Sequence, residues 1–150
     1  VSPMPRGGGR PLRSGVLSVE APSLVAAPIR TLLVHDRIPA NRPVQDAVAA
    51  RKDMAVIGTV WTLDRVELAL RTQTPELVVV DWQLAAAAAS HVCHVIKVRL
   101  LAPKVIVVVP EDDLYHRHAA ALSGADAMLP RRAPEDGLVR ALALLFPDRF

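Results

Sequence analysis

Two aspartates follow apolar runs of the kind that form buried strands. Asp81 comes directly after LVVV, and Asp36 follows IRTLLVH. In both places residues that favour burial give way to a carboxylate, which favours water. Each aspartate is either a reactive group at the end of a buried strand or a residue that marks the start of a loop. The elements around them decide between these two interpretations.

The composition is that of one globular domain with an aliphatic core. Apolar residues make up 51% of the 150 residues and aromatic residues only 3%, so Val, Leu, Ile and Ala must fill the core. The net charge of +3 is small and gives little reason to expect a nucleic-acid partner. The single cysteine, Cys93, cannot form an internal disulfide and fits the reducing cytoplasm. No apolar run is long enough to span a membrane.

Residues 1–28 are rich in Pro and Gly and show no sustained periodicity, which predicts a flexible tail before a domain over residues 29–150. The tail contains three arginines, Arg6, Arg10 and Arg13. They could contact an acidic partner, although a solvated extension is the simpler interpretation.

Beyond the tail, strand-like and helix-like patterns alternate. Strands are predicted over residues 29–34, 54–60, 76–80, 104–109 and 126–130, and helices over residues 43–52, 62–72, 85–101, 112–124 and 133–146. This alternation predicts an α/β fold, a (βα)5 doubly wound, five-stranded parallel sheet of flavodoxin-like topology. Sites in such sheets lie beyond the carboxyl ends of the strands. Asp36, Asp81, Val109 and Arg131 all lie at or just beyond such ends.

Over residues 29–146 the sequence resembles the receiver domain of two-component response regulators. The resemblance rests on the segments IRTLLVHDR, PELVVVDW, APKVIVVVPEDD and LSGADAMLPRRAPEDGLVRAL. In that family an aspartate beside Mg²⁺ accepts a phosphoryl group, and a lysine, a hydroxyl residue and an aromatic residue complete the switch. The resemblance implies that Asp81 is the phospho-acceptor and that Asp36 is the second residue of the family's acidic pair. It also implies a weak Mg²⁺ site formed by Asp36, Asp81 and Gln83.

Four positions depart from the family pattern. The first residue of the acidic pair, the switch hydroxyl, the lysine and the switch aromatic are replaced, in that order, by His35, Val109, Arg131 and Met128. The lost carboxylate weakens the attraction for a cation, since a charge at about 4 Å is worth on the order of 4 kcal/mol near a protein surface. Arg131 could pair with Asp81 directly and occupy the space of a metal ion. We therefore expect slow phosphorylation, poorly coupled to any switch.

The histidines suggest a zinc site, but their spacing argues against one. His91 and His94 can share a helix face, whereas Cys93 between them points elsewhere. His116 and His118 are two residues apart and do not face each other on a helix. Without a C-x-x-C partner, surface or packing roles are the better interpretation.

Two further features bear on ligands. Trp82 could cover the mouth of a pocket at Asp81 or pack against the neighbouring helix, and the sequence does not separate these alternatives. Binding of FMN needs a hydroxyl-rich loop after the first strand, and HDRIPANRP does not supply one.

The sequence thus predicts a stand-alone, degenerate receiver of two-component signalling. We expect a cytoplasmic, non-enzymatic regulator that has no catalytic residues and acts by protein contacts rather than by phosphorylation. Because only FPDRF follows the last helix, no output domain is expected, and the output surface would be the α4–β5–α5 face (residues 112–146). Its partner would be a sensor kinase, a downstream regulator or a second copy. Two alternatives stay open: a conventional Mg²⁺-dependent phospho-acceptor using Asp81, and a nucleic-acid-associated regulator using the arginine tail.

Overall fold

The computed structural model describes residues 27–150. The predicted tail of residues 1–28, with its arginines, lies outside the described residues except for its last two positions. Within residues 27–150 no helix combines the length and the apolar character that a membrane crossing requires.

Five strands and five α-helices alternate along the described chain. The strands are β1 (Ile29–Val34), β2 (Met54–Val60), β3 (Leu77–Asp81), β4 (Lys104–Val109) and β5 (Ala127–Pro130). The helices are α1 (Arg42–Ala49), α2 (Leu63–Thr72), α3 (Ala89–Lys97), α4 (Leu114–Leu122) and α5 (Glu135–Leu145). All strand pairs are parallel, in the order β2-β1-β3-β4-β5. The predicted (βα)5 sheet is therefore confirmed.

The sheet is buried on both faces because its central strands are continuously apolar. Successive side chains of a strand point to opposite faces, so Val78 and Val80 of β3 join one cluster while Leu77 and Val79 join the other. Helices α2, α3 and α4 cover the first face, and α1 and α5 cover the second. Only the strand ends are left for polar chemistry.

Helix α2 begins after its predicted cap, and α1 and α2 bury the residues that their patterns predict. Thr62 caps α2 by accepting a hydrogen bond from the backbone N–H of Arg65 at 3.4 Å. The predicted core positions of α2 and α1 are buried: Val66, Ala69, Leu70, Val44, Ala47 and Val48. Gly124 follows the last turn of α4 with a φ of 87°, the left-handed conformation that glycine tolerates best.

The predicted helix over residues 85–101 is too long at both ends. The structure has α3 only over Ala89–Lys97, and residues 85–88 form a loop. The backbone N–H of Ala85 instead donates to the Oδ2 atom of Asp36 at 2.9 Å. At the other end Leu101 has a φ of 56°, which no right-handed helix contains. Alanine propensity is a weak preference, and these tertiary contacts override it.

Candidate functional site

Asp81 is the last residue of β3 and lies at the carboxyl edge of the sheet. Its side chain is only 2% exposed, although the residue is charged. Its Oδ1 atom accepts a hydrogen bond from Nη2 of Arg131 at 2.6 Å and a second, at 3.2 Å, from the backbone N–H of Gln83. Asp81 is therefore a buried carboxylate in an ion pair, not a loop residue facing solvent.

Arg131 follows β5 directly and is fixed through both its backbone and its side chain. Its backbone N–H donates to the carbonyl of Val109 at 2.8 Å, which continues the β4–β5 pairing by one residue. Its Nη1 atom donates to Oε1 of Gln83 at 2.9 Å while Nη2 binds Asp81. The planar guanidinium thus holds a carboxylate and an amide together, a geometry that a lysine ammonium does not share.

Asp36 and His35 lie just beyond the end of β1. Besides the contact of its carboxylate with Ala85, Asp36 accepts a hydrogen bond on its backbone carbonyl from Nδ2 of Asn41 at 2.7 Å. The Nδ1 atom of His35 lies 2.9 Å from the same carbonyl, so the tautomer with a proton on Nδ1 donates there. As a whole residue, His35 is 5% exposed. The residue at the position where the resemblance implies a first carboxylate is therefore a buried imidazole.

His35 and Asp81 meet at a small internal cavity. The cavity has a volume of about 10 Å³ and is lined by His35, Asn41, Val44, Val79, Asp81 and Val108. Three buried polar atoms of this region have no hydrogen-bond partner within the described chain: Nε2 of His35, Oδ2 of Asp81 and Nε of Arg131. Such atoms are uncommon, because an unsatisfied buried polar group costs about 1–3 kcal/mol. The region combines buried charge with incomplete hydrogen bonding, as functional sites often do.

The residues implied for Mg²⁺ do not fit a divalent cation in this arrangement. Oδ1 of Asp81 and Oε1 of Gln83 both accept hydrogen bonds from the guanidinium of Arg131, and Oδ2 of Asp36 binds the N–H of Ala85. A guanidinium therefore already binds oxygen atoms of two of the three residues that a cation would need. No group of three or more His, Cys, Asp or Glu side chains within residues 27–150 is placed to hold a metal ion.

Val109 and Met128, at the implied switch positions, are packing residues. Val109 is fully buried in the cluster beneath α2 and α3, and its side chain has no hydroxyl to donate. Met128 is half-buried against the same cluster and pairs with Val107 across the β4–β5 register. Neither residue shares a polar contact with Asp81.

Trp82 packs against the core cluster rather than lining the cavity at Asp81. It lines a surface hollow between α3 and α4 together with His91, His94 and Leu122. The predicted shared face of the two histidines is thus observed. Cys93 points away into the core, where burial, with a smaller contribution from the Asp126 carboxylate, raises the pKa of its thiol to about 11.

Asn41 is a site residue that the sequence did not reveal. It is 3% exposed, and its side chain supports the Asp36 loop instead of capping α1, which it precedes. An asparagine before Arg-Pro is a recognisable helix start, but this signal predicts a cap rather than a contact with a loop five residues earlier.

Comparison with known proteins identifies the fold. No family model matches the sequence, and no curated protein matches it either. The structure is similar to the signal receiver domain of the response regulator NarL from Mycobacterium tuberculosis, with 15% identity, a TM-score of 0.67, and coverage of 78% of this chain and 94% of that one.

Two further solved structures show the same likeness. A LuxR-family two-component response regulator from Aurantimonas has 19% identity and a TM-score of 0.70 over 82% of this chain and 88% of that one. The response regulator domain of Thermotoga maritima CheB has 16% identity and a TM-score of 0.65 over 79% and 96%. At these identities the likeness is one of fold: the chain has the receiver fold.

Proposed function

We propose that this chain is a receiver-type regulatory module of two-component signalling that acts through protein contacts and does not switch by phosphorylation. The observation that carries the proposal is the ion pair between Arg131 and Asp81, whose carboxylate is 2% exposed. The receiver fold supports a role in two-component signalling. The ion pair argues against phosphorylation of the aspartate at the acceptor position.

A paired, covered carboxylate is a poor phospho-acceptor. Oδ1 of Asp81 is held by Arg131 at 2.6 Å, and the cavity that Asp81 lines has a volume of only about 10 Å³, which is far too small for a phosphoryl donor. Catalysis of phosphoryl transfer depends mainly on positioning and on charge neutralisation. Before either oxygen could attack a phosphoryl donor, Oδ1 would have to leave Arg131 or the covered Oδ2 would have to become accessible.

The side chains that transmit phosphorylation to the surface in receivers, a hydroxyl residue and an aromatic residue, are also absent at the corresponding positions of this chain. Val109 is fully buried where the family has a hydroxyl, and Met128 packs in the core where the family has a mobile ring. A phosphoryl group on Asp81 could therefore not form a hydrogen bond with the side chain of Val109. This supports a module whose surface is held in one conformation.

The α4–β5–α5 face is the surface that we propose as the output. On α4, Leu114 and Tyr115 are strongly exposed, and Leu144 of α5 is 69% exposed. Large apolar side chains left on a surface are the kind that protein partners bury. A kinase, a downstream regulator or a second copy of the chain would bury them.

The test is labelling with acetyl phosphate and Mg²⁺, followed by intact-mass spectrometry. We expect the wild-type protein to gain no stoichiometric phosphoryl group, as the Asp81→Asn control also will not. A variant that restores the family's residues, His35→Asp with Arg131→Lys, is expected to be labelled, because it supplies the missing carboxylate and releases Asp81.

The decisive opposite result is rapid, stoichiometric labelling of the wild-type protein. If that label is lost in Asp81→Asn and is accompanied by a change in oligomeric state by light scattering, the chain is a conventional phospho-acceptor and the proposal is wrong.

A further inference from the structure

A second concave site lies at the carboxyl end of β1 and β2, on the side of α1. It has a volume of about 600 Å³ and is lined by His35, Arg37, Ile38, Pro39, Arg42, Gln45 and Thr59. This volume falls within the range of small-molecule sites. The site shares His35 with the cavity at Asp81 but otherwise uses different residues.

The lining is cationic and contains no carboxylate. Arg37 and Arg42 form no ion pair within residues 27–150, unlike the arginines that pair with Asp53, Glu76, Asp81 or Asp112. Two acids lie near them in sequence: Asp36 binds the N–H of Ala85 with its side chain, and Asp46, one turn after Arg42 on α1, forms no ion pair with it within residues 27–150. Two uncompensated guanidinium groups beside a polar hollow favour an anion.

The neighbouring groups add donors of the kind that bind phosphate. Gln45 and Thr59 contribute an amide and a hydroxyl to the lining. His35 is 5% exposed and lines the hollow, and its Nε2 atom has no partner within the described chain. The first turn of α1 contains no acidic residue and its N-cap makes no side-chain capping bond, so no carboxylate of that turn offsets the positive helix end.

An aromatic side chain borders the site. The guanidinium of Arg37 lies 5.2 Å from the ring centroid of Trp61, which is 40% exposed. Trp61 lines an adjoining hollow of about 300 Å³ that shares Thr59 with the cationic one and includes Arg65. A ligand with a phosphate and a planar ring could contact both hollows at once.

We propose that this hollow is a binding site for a small phosphomonoester, with its phosphate held by Arg37 and Arg42. Arginine forks match phosphate oxygens in pairs, which makes the two guanidinium groups the main source of affinity. The proposal does not depend on the state of Asp81 or on the output surface. His35, which lines both sites, is the residue through which a bound anion would be linked to Asp81.

Fluorescence of Trp61 tests the proposal directly. In the full chain carrying Trp82→Phe, Trp61 is the only tryptophan. Inorganic phosphate and AMP are titrated separately at constant ionic strength, and both are expected to give a saturable change. Arg42→Gln is expected to weaken binding about tenfold or more, since it removes a charge-assisted contact. Arg140→Gln on α5 is the matched control, with the same loss of charge on an exposed residue outside the hollow, and should leave binding unchanged.

Comparison of inorganic phosphate with AMP separates the affinity due to the phosphate from the affinity due to the ring. Tighter binding of AMP than of phosphate supports the site and places the ring beside Trp61. Equal affinities support a site that recognises the phosphate alone. The proposal is overturned if neither probe gives a saturable change, or if Arg42→Gln and Arg140→Gln weaken binding equally, which is the behaviour of a general charge effect.

Discussion

Strand β3 has a carboxylate at each end, and each is paired with an arginine from the last twenty residues of the chain. Glu76 precedes the strand and binds Arg149 at 2.7 Å, whereas Asp81 ends it and binds Arg131 at 2.6 Å. The chemistry and the distances are nearly the same. The environments differ, because Glu76 is 35% exposed and Asp81 is 2% exposed.

The two pairs also differ in how completely they are satisfied. Oε1 of Glu76 accepts a hydrogen bond from the backbone N–H of Arg30 while Oε2 binds Arg149, so both oxygens are used. Oδ2 of Asp81 has no partner within the described chain. Glu76 thus ties two chain segments together at the surface. The pair of Asp81 instead holds a buried charge with one oxygen unsatisfied, which costs stability and suits a functional position.

Removal of the buried arginine is expected to have the largest effect. Arg131→Gln leaves Asp81 as a buried, unpaired charge, so we expect the free energy of unfolding to fall by about 3 kcal/mol or more. Urea denaturation at neutral pH measures this loss. The double variant Asp81→Asn with Arg131→Gln is the control and should recover much of it, because the charge itself is gone. A loss below about 1 kcal/mol for Arg131→Gln would show that the two ends of β3 are equivalent.

The thiol of Cys93 is a buried titratable group without an arginine partner, so it tests the effect of burial on stability separately from ion pairing. Burial raises the pKa of its thiol from 9.0 to about 11, so the folded state favours the neutral form. Stabilisation from this group is complete below pH 9.0 and is lost as the pH rises through about 11. We expect the stability of the wild type relative to Cys93→Ala to fall by about 2–3 kcal/mol over that interval. Urea titrations at several pH values measure it, and a constant difference would contradict the prediction.

The partly exposed pair of Glu76 and Arg149, at the other end of β3, is expected to contribute much less. Arg149→Gln should lower the free energy of unfolding by no more than about 1 kcal/mol, because solvent screens the pair and Glu76 keeps its backbone partner. The effect should shrink further in high salt. A loss as large as that of Arg131→Gln would mean that burial does not separate the two pairs.

The pair of Arg117 and Asp112, with side chains that are 63% and 45% exposed, is the most exposed arginine pair in the comparison, and we expect it to contribute least. Arg117 binds Asp112 at 2.6 Å at the start of α4, and its hydrogen bond lowers the pKa of the Asp112 carboxyl. Arg117→Gln is expected to leave the urea midpoint unchanged while the pKa of Asp112 rises towards its ordinary value. An NMR titration of the carboxyl group measures the shift, and a pKa that stays low would show that the contact does not persist in solution.

Much of the fold follows from local patterns in the sequence. Apolar runs and helical spacing predict all ten elements in order, and Thr62 and Gly124 mark helix ends where the structure has them. The exception is α3, where five alanines favour a helix that tertiary contacts cut short. Local propensity carries no information about the hydrogen bond from the N–H of Ala85 to Asp36, which lies 49 residues earlier.

The candidate site follows from the sequence only in part. The apolar run before Asp81 places a carboxylate at a strand end, and the resemblance to receivers singles out His35, Val109, Met128 and Arg131 around it. The contact between Arg131 and Asp81 joins residues 50 positions apart. It depends on the register of three strands and on two side-chain conformations, which no local pattern encodes.

The sequence by itself thus determined the sheet, its helices and the position of Asp81 at a strand end, because apolar periodicity and helix caps are patterns within short segments. Tertiary structure alone decided which side chains surround Asp81. In the folded chain Asp36 binds the N–H of Ala85, and Asp81 binds Arg131. Arg37 and Arg42 line one hollow and form no ion pair within residues 27–150. Which charge is neutralised and which stays available depends on distances between strands, and these exist only once the sheet has formed.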